Sequence, residues 1–159
     1  MLFLSVCFLT TVLIDRFNIF KKMKEHANIG KFSQETGNFG AMDMHRQKIM
    51  DYIYDEYGAE PEHLWEKFPD CAVFRHKGNR KWFGVIAKVP KKTLGLDGDR
   101  KVDILNVKCA PGNVYLLRQD KGILPAWHMN KEHWISLLVE TLPENMIVDL
   151  VDASFKLTA

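Results

Sequence analysis

The stretch Lys121-Gly122-Ile123-Leu124-Pro125-Ala126-Trp127-His128-Met129-Asn130-Lys131-Glu132-His133-Trp134 crowds rigid, aromatic and ionisable residues together as no other part of the chain does. A core strand does not need that mixture. A tight crossing between two strands, with polar side chains held over it, does. Residues 123–129 and 134–139 are therefore read as two strands joined through Asn130, Lys131 and Glu132.

Working outward from this crossing, Ala110-Pro111 suits a helix start with proline at the first helical position; Val114 and Leu117 follow on one side, and Gly122 ends that helix. Further upstream, residues 71–76 and 81–89 alternate in the manner of strands around a Lys77-Gly78-Asn79-Arg80 turn. A long loop over residues 90–100, with Gly95 and Gly98, leads to a third strand at 102–108. Ile49, Tyr52, Ile53 and Tyr57 recur at helical spacing and Gly58 suits a left-handed stop, so an amphipathic helix precedes the strands. Pro61 is expected to open a short helical turn through His63, Leu64 and Trp65, broken at Phe68-Pro69-Asp70. Thr141-Leu142-Pro143-Glu144 has the capping-box pattern ahead of Ile147, Leu150, Val151 and Phe155, so a helix closes the chain. The order helix, three strands, helix, two strands, helix argues for an α+β fold, a two-layer arrangement of a five-stranded antiparallel sheet with helices packed on one face.

With 159 residues, 26% of them charged, the chain is sized for one domain with an ordinary core. Cys7, Cys71 and Cys109 are odd in number and lack CxxC spacing, which argues against a disulfide framework or a cysteine zinc site and fits a cytoplasmic setting. The net charge of +2 conceals a segregation: residues 71–121 hold 12 Lys and Arg against 4 Asp and Glu, whereas residues 42–70 hold 3 against 8 and residues 122–159 hold 2 against 5. If the middle is a sheet and the flanks are helices turned away from it, one side of the domain is positive and draws anionic partners.

Residues 1–41 do not share this design. Residues 1–14 are apolar but lack a basic start and a cleavage site, and Asp15 and Arg16 end them short of the roughly 20 residues of a membrane span. They are read as leader or disordered extension ahead of a domain at 42–159, with a peripheral anchor as the alternative. No integral membrane segment is expected.

Arg75-His76 with Lys81-Trp82, then Val107-Lys108-Cys109, then residues 125–134 and finally Ser154-Phe155-Lys156-Leu157-Thr158 resemble the signature blocks of the MmcQ/YjbR family, from about residue 43 to the end. That resemblance implies a small cytoplasmic α+β protein of a kind generally described as DNA-binding, with no established reaction. Trp127, where a smaller aromatic is common, and Gly112-Asn113 in the middle helix depart from the pattern.

Two classes of site follow. For nucleic acid, Arg75, Lys77, Arg80 and Lys81 at one hairpin tip and Lys91, Lys92 and Arg100 at a second would form a pair of basic wings on phosphate backbone. Residues 42–159 nonetheless balance at 17 against 17, so tight autonomous DNA binding is not expected. Trp82, Trp127 and Trp134 could stack on unpaired bases, although burial is the commoner fate of such rings. The competing class is a small anion pocket formed by Lys108, Lys121, Trp127, His128, Asn130 and Lys131, binding a phosphorylated or carboxylated small molecule or an acidic protein partner. His128 and His133 are five apart and lack the pattern of a metalloprotease helix, so a structural role is expected for them, with His128 and Asn130 tying the crossing. No nucleophile elbow, phosphate loop or catalytic carboxylate pair is present, so neither an enzyme nor a metal or cofactor is expected.

Overall fold

A computed structural model describes residues 40–159. The stretch 1–41 expected to be leader lies outside the described residues except for Gly40 and Ala41, which open the first described helix, α1 (Gly40–Tyr57). Five strands follow: β1 (Ala72–Arg75), β2 (Trp82–Pro90), β3 (Lys101–Lys108), β4 (Ile123–Pro125) and β5 (Trp134–Leu138). A short helix α2 (Pro111–Leu117) lies between β3 and β4, and α3 (Glu144–Thr158) closes the chain. Every pairing is antiparallel and the strand order is β1-β2-β3-β5-β4. The expected order of elements and the one-sided helices are both found. Among the described residues, no helix is long and apolar enough to cross a membrane.

Alternation along the strands sends two sets of side chains to two faces. Phe74, Phe83, Ile86, Leu105, Val107, Ile135 and Leu137 meet Ile49 and Ile53 of α1 and Ile147 and Val151 of α3 in the main core. Tyr52 and Tyr57 of α1 both donate to Asp152 Oδ1 of α3, at 2.7 and 2.5 Å. Burial and the bond to Asp152 push both phenol pKa values well above the ordinary range, so the ring hydroxyls stay donors. At the Trp82 end of the sheet, Ser154 of α3 donates from Oγ to the Phe83 carbonyl (2.6 Å) and accepts from the Lys108 N–H (2.7 Å).

The other face is not bare. Cys71, Val73, Val85, Ala87, Val89 and Ile104 form a second cluster, covered in part by Trp82, Leu94, Trp127 and Met129. The residue 123–129 strand is correspondingly shorter than expected. After Pro125 the chain leaves the ladder: the Trp127 N–H goes to Ser136 Oγ (2.8 Å), the Trp127 carbonyl accepts from Asn106 Nδ2 (2.8 Å), and Ser136 Oγ donates to Asn106 Oδ1 (2.5 Å). Asn106 and Ser136 are cross-strand neighbours and wholly buried, so two polar side chains pin the crossing from beneath.

Two local expectations are corrected. Residues 61–65 do not form a helical turn; Glu62 instead bridges the outer edge of β1, exchanging backbone hydrogen bonds with Val73 at 2.9 and 3.0 Å. Thr141 does not cap α3, because it and Leu142 are held in a turn by the Leu138 carbonyl and the helix begins after Pro143, which makes no side-chain cap bond.

Candidate functional site

Seven cations were expected to form a pair of wings on one continuous positive surface. Successive turns of a meander lie at opposite ends of the strand they share, and nine-residue β2 separates its two turns by about 26 Å. The basic tips are therefore not one continuous surface, and each carries its own counterions. At the far tip, Arg100 makes two bonds of 2.7 Å to Glu140, Lys91 lies 3.7 Å from the same carboxylate, and Lys92 pairs with Asp99. Glu140, from the acidic C-terminal flank, is turned toward these cations rather than away from them.

The near tip is different, because three of its four cations converge on a concavity. A cleft of about 330 Å³ lies between the end of α1 and the β1–β2 turn, and Arg75, Lys77 and Arg80 line it together with Tyr54, Gly58, Glu60 and Glu62. Arg75 is placed by the last position of β1, where the ladder to β2 is irregular, and its guanidinium lies over the Trp82 ring at 5.0 Å from the centroid. Arg80 holds φ at 59°, a left-handed conformation costly for a residue with a side chain. Its N–H donates to the His76 carbonyl at 3.1 Å. Glu62, fixed by its bridge to Val73, reaches both arginines: Oε2 accepts from Arg75 Nε at 3.0 Å and Oε1 from Arg80 Nη2 at 2.6 Å. Gly58 stops α1 with φ at 59°, and a Cβ there would fall 2.6 Å from Lys77 Nζ, so glycine leaves the ammonium its place. Among the described residues, no carboxylate forms an ion pair with Lys77.

Lys81, next along the turn, points to the Ala159 carbonyl at 3.5 Å, while Asn79 and His76 bond to Thr158. This end of the sheet is thus clasped by the last turn of α3.

The second expected pocket does not assemble as a unit. Lys108 pairs in register with Trp134, whereas Lys121 precedes β4 at the Leu138 end of β5, about 13 Å away along the strand. Trp134 is buried and Trp127 is half-buried against the second cluster, so neither ring is open for base stacking on both faces. Asn130 serves the crossing: its Oδ1 accepts from the Glu132 N–H at 2.8 Å and its carbonyl from the His133 and Trp134 N–H groups. His128 and Lys131 are exposed, and the His128 ring meets Trp127 edge-on at 4.3 Å between centroids. Burial pushes the Cys109 thiol up to about 11, and the Cys71 thiol also upward, the reverse of an activated nucleophile.

Sequence reading missed Glu62 as the partner of Arg75 and Arg80, because it placed residues 61–65 in a helical turn; Tyr54, Gly58 and Glu60 reach the same site through the end of α1 and the segment that follows it. The available signal was the charge segregation itself: an acidic segment followed by a basic one is as suited to pairing across a fold as to a polarised surface.

A family model described as YjbR matches residues 55–157. The chain is 46% identical over 114 residues to the uncharacterized protein YyaQ of Bacillus subtilis (strain 168), covering 71% of this chain and 97% of that one. A crystal structure of a Pseudomonas syringae protein superposes with a TM-score of 0.71 at 45% identity, over 72% of this chain and 98% of that one. A Deinococcus radiodurans protein of 19% identity shares the fold, with a TM-score of 0.50 over 67% of this chain and 75% of that one.

Proposed function

The chain belongs to the YjbR family, and on that premise we propose that it is a non-enzymatic binding module for a small anionic ligand, held in the cleft between α1 and the β1–β2 turn. The observation that carries this reading is the convergence of Arg75, Lys77 and Arg80 on one concavity of about 330 Å³. That volume lies at the small end of ligand pockets, which run from about 300 to 1,000 Å³, and suits a metabolite rather than a duplex. Three cations against Glu60 and Glu62 leave the lining with a net positive charge. Its setting is the cytoplasm, consistent with buried Cys71 and Cys109 thiols that are unpaired.

Contact with DNA phosphates through both tips draws less support. At the far tip Lys91, Lys92 and Arg100 are all ion-paired, and a cation already neutralised releases fewer counterions from DNA. The full chain titrated with inorganic phosphate should gain thermal stability, and Arg80→Ala should remove the gain. A chain that ignores phosphate but retains a short mixed-sequence duplex, with an affinity falling steeply as salt rises, would reverse the order of the two readings. Stabilisation by neither, with capture of an acidic peptide instead, would leave a protein-interaction module.

A further inference from the structure

We propose that the Glu62 carboxylate is a built-in occupant of the anion seat, and that the ligand which displaces it is the dianionic head of a phosphomonoester; this rests on the small-anion reading above. Glu62 presents two oxygens on one central atom to two separate guanidinium groups, at 3.0 Å from Arg75 Nε and 2.6 Å from Arg80 Nη2. A terminal phosphate presents oxygens in the same relation, and arginine forks match it. The arginines are set for this task by features that an ordinary surface ion pair does not need. Arg75 is backed by the Trp82 ring and donates from Nη1 to the Arg80 carbonyl at 3.4 Å, while Arg80 is kept in a left-handed backbone conformation that aims its side chain at the same point.

The choice of a dianion follows from charge. Three cations face the carboxylates of Glu60 and Glu62 in the cleft, so with Glu62 swung out three positive charges remain against one negative, and Lys77 lines the same cleft with no carboxylate paired to it among the described residues. A monocarboxylate ligand would merely exchange with Glu62 like for like. A phosphomonoester above its second pKa, about 6, brings a second charge and a third terminal oxygen for Lys77. Displacement is open to Glu62 because its side chain is 30% exposed and can swing to water while its backbone remains bridged to Val73.

The test is calorimetric titration of the full chain with methyl phosphate and with acetate, comparing wild type, Glu62→Gln and Arg80→Ala. Glu62→Gln is expected to bind methyl phosphate roughly fivefold more tightly than wild type, the worth of a partly exposed ion pair, and Arg80→Ala to lose it. Wild-type affinity should also fall as pH drops through about 6, a readout that needs no variant to fold. If wild type binds methyl phosphate and Glu62→Gln binds it equally or more weakly, Glu62 is not a competing occupant and this proposal fails while the anion cleft stands. Acetate binding as tight as methyl phosphate would overturn the dianion assignment. If wild type binds neither anion, the cleft reading and this proposal fall together.

Discussion

Ser136→Ala should cost far more than the loss of one hydroxyl suggests. The Ser136 side chain is completely buried, accepts from the Trp127 N–H at 2.8 Å and donates to Asn106 Oδ1 at 2.5 Å. Alanine leaves a backbone donor and a carboxamide acceptor without a partner, and each such group costs about 1–3 kcal/mol when water cannot replace the lost bond. Trp127 is only half-buried, so its N–H takes the lower end and the sum is about 2–4 kcal/mol. Against a total stability of roughly 5–15 kcal/mol for a domain, that is a large share. Urea unfolding should show a lower midpoint with an unchanged slope, since the surface exposed on unfolding is the same. Hydrogen exchange supplies the specific signature: the Trp127 amide should lose protection in the variant while amides of β2 and β3 keep theirs. Asn106→Ala should be strongly non-additive with it, with a coupling of at least about 1 kcal/mol. A loss below about 1 kcal/mol, or a Trp127 amide as protected as before, would refute the idea that this bond pins the crossing.

Arg46→Ala should destabilise by about 3 kcal/mol in urea, because Arg46 Nη1 lies 2.6 Å from the buried Asp103 carboxylate and Nη2 donates to the Asp70 carbonyl; Arg46→Lys should not restore the loss, since one ammonium cannot supply both directions of the fork. Stability should decline as pH rises from about 9 toward about 11: the buried Cys109 thiol is raised to about 11, so in that window the unfolded chain loses its thiol proton while the folded chain keeps it. Cys109→Ala should flatten the early part of the decline in a pH series of urea midpoints, and an unchanged decline would assign it to Cys71 and the two raised tyrosines instead.

The architecture was legible because its elements have strong local signals. Ile49, Ile53 and Tyr57 repeat at helical spacing, the Lys77–Arg80 turn separates two alternating runs, and Pro111 marks a helix start, all of which act within a few residues. The site was less legible because it depends on pairings between distant segments. Glu62 meets Arg75 and Arg80 only because residue 62 bridges Val73, and Glu140 meets Arg100 across forty positions. Segregated charge in a sequence fixes which segments can neutralise one another but not whether they do. Asn106 and Ser136 were equally hidden, since a polar residue in a strand normally marks the solvent side; here both point under the Trp127 segment, where they replace the backbone partners it lost on leaving the ladder.

Ser154 has a consequence for how the chain reaches this state. Its hydroxyl oxygen sits between the Phe83 carbonyl and the Lys108 N–H, beyond the last backbone rung at Gly84 and Val107. Zippering of the β2–β3 hairpin can therefore run only as far as that rung; completion awaits a residue 46 positions beyond Lys108 and 71 beyond Phe83. Loop closure over such separations is slow compared with hairpin growth. Arrival of the terminal helix and closure of the central strand pair should therefore be one kinetic event, and a nascent chain that has not yet released Ser154 should hold a sheet with an open seam beside the β1–β2 turn.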